Sequence, residues 1–166
     1  MGKQRTLSIC AGAIAVLALA GATAEAATAT GTFTSTITLQ ASCQVVSTNT
    51  LDFGTQNLLT ANVDVSANFS VQCTNTTPYN IGLNAGSTAG GTVATRLMTS
   101  GAATVQYRMY SDSARTVNWG NTPATDTVSG TGNGNAQSLT VYGRVPAQAT
   151  PAPASYSDTV TVTINY

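Results

Sequence analysis

The sequence contains no histidine, and its only lysine is Lys3. The commonest general base and the usual amine nucleophile are therefore missing downstream of the first residues. A Ser-His-Asp triad cannot be assembled, and zinc lacks the imidazole ligands that many of its sites use. Charge is scarce as well, at 7% of residues, and the formal net charge is zero. Beyond residue 27 the cations are Arg96, Arg108, Arg115 and Arg144, and the acids are Asp52, Asp64, Asp112, Asp126 and Asp158. Four arginines so widely spaced in sequence are not expected to build the basic face that nucleic acid or an anionic membrane requires. Nor do the aspartates form the D-x-[DN]-x-[DN]-G segment of a calcium loop or a clustered pair for glycoside hydrolysis. The absence of a Cys-x-x-Cys motif disfavours redox catalysis. What remains is a structural or binding role, with no cofactor and no metal expected.

The N-terminus is informative. Lys3 and Arg5 precede an apolar run from Leu7 to Ala20, and small residues follow from Gly21 to Ala27, the three-part pattern of a secretory signal peptide. The apolar run covers about 14 residues, short of the roughly 20 that a membrane-spanning helix needs. No later stretch is apolar enough to span, so membrane insertion is not expected. Ala22-Thr23-Ala24 and Ala24-Glu25-Ala26 both fit a small-x-small cleavage site, and residues 1–26 are taken as the leader. About 140 residues then remain, the usual size of one domain. Of the three cysteines, Cys10 lies in the leader, leaving Cys43 and Cys73. In an oxidising compartment an even pair is expected to be a disulfide, the alternative being two buried thiols. Closing a loop of about 30 residues would stabilise the fold by roughly 3 to 4 kcal/mol.

Period-two alternation dominates the rest, and helix-period patterning is absent. From Thr28 to Gln40 every even position is Thr or Gln, whereas the odd positions read Ala29, Gly31, Phe33, Ser35, Ile37 and Leu39. Val63, Val65, Ala67, Phe69, Val71 and Cys73 alternate with polar residues in the same way. Further strands are expected at 50–59, 79–84, 93–98, 104–110, 116–119, 137–145 and 156–166. Clusters of Gly, Asn, Ser and Pro at 85–91, 129–135 and 146–153 separate them. Such a series of short strands predicts an all-β, immunoglobulin-like sandwich, with a closed barrel as the alternative. Trp119 is expected in the core, although Trp119, Tyr107 and Tyr110 could also stack on a sugar.

An alternating segment precedes the first cysteine, Leu51-Asp52-Phe53-Gly54 follows it, and the chain closes on Tyr156-Ser157-Asp158-Thr159-Val160-Thr161-Val162-Thr163-Ile164-Asn165-Tyr166. With Tyr107-Arg108-Met109-Tyr110-Ser111-Asp112 and Ala114-Arg115, these features resemble the spore coat protein U domain family, which includes pilins of archaic chaperone-usher pili. The resemblance covers essentially the whole mature chain. It implies an incomplete immunoglobulin-like β-sandwich that lacks its last strand, held by a periplasmic chaperone, passed to an outer-membrane usher and completed by a strand from another copy.

In those terms residues 27–40 are a donor extension presenting Ala29, Gly31, Phe33, Ser35, Ile37 and Leu39, and residues 41–166 are the pilin domain. Val160, Val162, Ile164 and Tyr166 would form the acceptor edge that the chaperone occupies. The expected destination is the cell surface, in a pilus supporting adhesion or biofilm formation. Elementary chemistry agrees: a final strand ending at Tyr166 leaves an open edge, and an alternating extended peptide can fill such an edge by strand addition. Two alternatives stand beside this. Residues 29–41 could be the domain's own first strand, or the chain could be a secreted coat or carbohydrate-binding protein that does not polymerise.

Overall fold

The computed structural model describes residues 25–166, so the leader assigned above lies outside the described residues apart from Glu25 and Ala26. The chain divides into two units, one ending at Ile37 and the other spanning Thr38–Tyr166. Residues 25–37 carry neither helix nor strand, and Phe33 and Ile37 are 90% and 83% exposed. The alternating segment expected to be extended strand belongs to neither sheet here. Alternation fixes which side chains share a face, but a strand also needs a neighbour for its backbone groups.

The second unit holds β1 (Cys43–Thr48), β2 (Val63–Cys73), β3 (Pro78–Leu83), β4 (Arg96–Ser100), β5 (Ala103–Tyr110), β6 (Val128–Thr131), β7 (Ala136–Val145) and β8 (Val162–Asn165). They form a five-stranded sheet in the order β1-β2-β7-β5-β4 and a three-stranded sheet in the order β6-β3-β8, antiparallel throughout. No helix of the described residues is long and apolar enough to cross a membrane. The spine is the β2–β7 ladder, paired from Val63↔Val145 to Gln72↔Ala136. β1 pairs with the end of β2 so that Cys43 faces Cys73, and the two are joined by a disulfide.

One core serves both sheets, with Phe69 and Val71 of β2, Val105 and Tyr107 of β5 and Val141 of β7 against Tyr79, Ile81 and Leu83 of β3. Trp119 is buried among them, donating its indole N–H to Ile81 O at 2.8 Å, with its ring centroid 5.7 Å from that of Phe69. Arg96 is fully buried without a carboxylate partner. Its guanidinium donates to the carbonyls of Asn84, Val93, Leu83 and Trp119 at 2.7 to 2.9 Å, and so ties the start of β4 to the end of β3. Burial pulls its pKa down, and the charge is sustained by these carbonyl dipoles.

Beyond the N-terminal segment, the structure departs from the sequence expectations at several further places. Residues 50–59 form no strand: Leu51 and Phe53 do alternate inward onto the core, but no neighbouring strand pairs with their backbone. Thr116–Trp119 is not a strand either, because the Asp112 carboxylate captures the N–H groups of Thr116 and Val117 and bends the chain; only Asn118 makes a bridge, to Tyr110. The strand expected over 156–166 is confined to Val162–Asn165, preceded by a lone bridge between Ser157 and Thr99. Conversely, the Gly/Asn cluster at 129–135 supplies Ser129, Gly130 and Thr131 to β6. Its Gly130 faces Tyr79, whose ring occupies the space that a side chain at 130 would take.

The arginines, scattered in sequence, are closer in space than their spacing suggests. Arg108 and Arg144 are directly opposed on β5 and β7, and Arg144 grips Asp64 of β2 with two bonds of 2.7 and 2.8 Å. Arg115 lies 5.8 Å above the Tyr142 ring and 3.5 Å from Asp64.

Candidate functional site

An open groove of about 1040 Å³ runs between residues 48–59 on one side and residues 150–160 on the other. Its floor is core: Phe69, Leu83, Val105, Tyr107, Met109 and Val141 all line it. The first wall is held by packing. Gly143 of β7 leaves room for Leu51 and Phe53, since a Cβ there would come within 2.7 Å of Leu51 Cδ2 and 3.0 Å of Phe53 Cζ. The Phe53 ring also meets Tyr107 edge-on at 6.1 Å. Beyond it, Gly54 takes a φ of 68°, and its N–H is capped by Asp52 Oδ1 at 2.8 Å. The two walls are tied at one end, where Gln148 N donates to Leu59 O and Leu59 N donates to Thr150 Oγ1.

The second wall alternates strictly. Tyr156, Asp158, Val160, Val162 and Ile164 are half-buried, while Ser157, Thr159, Thr161, Thr163 and Asn165 are exposed. Backbone groups alternate too. Ser157 exchanges both bonds with Thr99, Thr161 O accepts from Asn84 N, and Thr161 N donates to Asn84 Oδ1. Leu83, opposite Val162, spends its N–H on Gly120 O instead. The odd-numbered residues thus serve β3 and β4. The N–H and C=O groups of Val162 and Ile164 turn to the outer edge, for β8 ends the three-stranded sheet, and the same alternation turns those of Asp158 and Val160 away from the partners of Ser157 and Thr161. The groove accordingly combines apolar floor with unpaired backbone on its rim, the two features that strand addition uses.

Asp158 is the one charged side chain on the inward face of this wall. Its Oδ1 accepts from the N–H and hydroxyl groups of both Ser87 and Thr88 at 2.8 to 3.2 Å, and its Oδ2 accepts from Tyr107 Oη at 2.7 Å. Burial alone would raise its pKa, but the bonds from Tyr107, Ser87 and Thr88 outweigh it and the net shift is downward. Tyr107 is pushed well up, first by burial and then by its bond to Asp158, and stays a phenol. The other aspartates are also engaged locally: Asp52 with Gly54, Asp64 with Arg144, Asp112 with Thr116 and Val117, and Asp126 with Thr122. Among the described residues no three His, Cys, Asp or Glu side chains cluster as metal ligands would.

Of the edge residues expected from sequence, Val160 and Val162 line the groove, Ile164 packs on the core beyond it, and Tyr166 is 62% exposed. Leu39 is exposed, as are Ala29, Gly31 and Ser35. Sequence reasoning did not assign Asp158 and Tyr107 to the site. The signal was there for Asp158, a lone acid interrupting an apolar every-second-residue face.

Residues 29–163 match the family model of the Spore Coat Protein U domain. Protein U of Myxococcus xanthus is 35% identical over 129 residues, 70% of this chain and 72% of that protein. Among solved structures, the chaperone–tip adhesion subunit pre-assembly complex CsuC-CsuE, from archaic chaperone-usher Csu pili of Acinetobacter baumannii, matches with a TM-score of 0.56 at 25% identity. That match covers 78% of this chain, which spans 40% of the length of the matched chain.

Proposed function

The chain belongs to the Spore Coat Protein U domain family, and from that membership we propose that it is an exported structural subunit of a surface pilus, assembled by strand donation between copies. The observation that carries this reading is the groove, with core on its floor and unpaired backbone on its rim. Residues 27–40 act as the donor and residues 41–166 as the acceptor domain. Laying Phe33, Ile37 and Leu39 into a groove of this kind would contribute roughly 1.5 to 3 kcal/mol each. A subunit with such a groove needs cover before assembly, and the likeness to a chaperone–subunit complex supports a periplasmic chaperone in that role. An outer-membrane usher then joins copies at the surface, where the fibre serves adhesion or biofilm formation.

The direct test uses the full mature chain carrying Phe33→Asp, which cannot donate but keeps its groove. A synthetic peptide spanning Thr28–Leu39 raises its melting temperature, because a ligand that binds only the folded state stabilises it by mass action. A chain indifferent to the peptide would overturn strand donation. It would favour the second reading, suggested by the family's name, of a secreted coat protein that does not polymerise.

A further inference from the structure

We propose that Asp158 of the accepting copy and Ser35 of the donating copy set the register of strand donation, the Ser35 hydroxyl bonding the Asp158 carboxylate across an antiparallel pair. The inference rests on the strand-donation reading and adds which residues meet and in which direction. Three observations carry it.

The first is chemical matching. The inward positions of the open wall read Tyr156, Asp158, Val160, Val162 and Ile164, with a single charge at 158. The odd face of the donor reads Ala29, Gly31, Phe33, Ser35, Ile37 and Leu39, and Ser35 is its single side-chain hydrogen-bond donor. Side chains in a strand pair meet every second residue, so the next permitted registers lie two residues away. Either one sets Phe33 or Ile37 on the carboxylate and strips it of water with nothing in exchange.

The second is capacity. Asp158 Oδ1 accepts four bonds and Oδ2 only one, from Tyr107. The contacts to Oδ1 are shared among four donors, whereas Oδ2 has one partner and so keeps acceptor capacity, and Asp158 lines the groove.

The third is size, which fixes the direction. The groove is bounded along Thr150–Val160 and by Val162, and Ile164 and Tyr166 are not part of it. With Ser35 on Asp158 and the strands antiparallel, Leu39, Ile37 and Phe33 meet Ala154, Tyr156 and Val160, within the bounded stretch. Gly31 and Ala29 meet Val162 and Ile164, where the groove ends. A parallel strand would reverse this, placing Ala29 and Gly31 over the roomy stretch and Leu39 at its end.

The test uses the full mature chain carrying Phe33→Asp and peptides spanning Thr28–Leu39. Relative to the native peptide, Ser35→Ala binds about tenfold more weakly, as expected for losing a hydrogen bond to a charged group, and Ser35→Thr, which keeps the hydroxyl, binds nearly as well. Register and direction are read by cross-linking. A peptide with Phe33→Cys forms a disulfide with a chain bearing Val160→Cys, and not with one bearing Tyr156→Cys, which a parallel strand would select. Equal binding of the Ser35→Ala peptide, or preferential coupling to Tyr156→Cys, overturns the register while leaving strand donation intact. Failure of the native peptide to bind at all overturns both.

Discussion

Asp158 gathers residues distant in sequence: the turn at Ser87 and Thr88, the core phenol of Tyr107 and the C-terminal segment all end on one carboxylate. The fit is close on every side, since a Cβ at Gly86, where φ is 89°, would strike the Asp158 carboxylate. Its downward pKa shift has a consequence for acid stability. The native carboxyl binds its proton less readily than the unfolded one, whose pKa is about 3.9. The stability it contributes is therefore fully present above that value and is lost as pH falls through it toward the lower native value. Thermal unfolding should be nearly flat from neutral pH to about 5 and should fall steeply below about 4. Asp158→Asn should lower the melting temperature at pH 7 and flatten part of the acid slope. Asp64 and Asp112, also shifted down, account for the remainder. An acid slope unchanged in Asp158→Asn would show that this carboxylate does not anchor the segment.

Among the strands, β1 depends most on one bond. It pairs only with β2, along a ladder interrupted by an irregularity between Val45 and Ser47, and Val45 and Val46 are partly exposed. The Cys43–Cys73 disulfide, with a sequence separation of 30, pins it. The double Cys→Ser protein should lose about 3 to 4 kcal/mol, read as a lower denaturant midpoint and a lower yield from the periplasm. Normal accumulation and assembly of that variant would refute the need for the bridge. β2 was legible in the sequence because alternation, β-branched residues and the inward cysteine agreed, and its burial alternates as written. Residues 50–59 alternate as well, yet a period of two reports only side-chain facing and cannot say whether a neighbouring backbone exists. β6 was hidden because Gly130 and Gly132 read as a turn, while the Tyr79 ring that fills the space above Gly130 comes from a distant strand. Of the apolar alternation legible at the end of the chain, Val160 and Val162 line the groove, whereas Ile164 lies outside it. The polar half of the candidate site was not legible: the partners of Asp158 lie 51 to 71 residues away, and no local pattern announces them.

At the scale of the whole molecule, a chain that both donates and accepts a strand would make a heterologous contact, which extends into a filament wherever its rotation does not close a ring. The donor and acceptor halves can then be disabled separately. Phe33→Asp should remove donation, because seating an unpaired carboxylate in an apolar groove costs several kcal/mol, and it should leave the groove of the same copy untouched. Ile164→Asp should remove acceptance: Ile164 packs on the core at the open edge of β8, and a charge there would spoil the surface on which a strand or a chaperone would settle. Produced alone in a periplasm with its assembly machinery, neither variant should form fibres under the electron microscope. Produced together, they should pair once, the intact extension of the Ile164→Asp chain entering the intact groove of the Phe33→Asp chain, and then stop. Size-exclusion chromatography should find a one-to-one dimer. Long fibres from the mixture, or two monomers that ignore each other, would each contradict head-to-tail assembly through this groove.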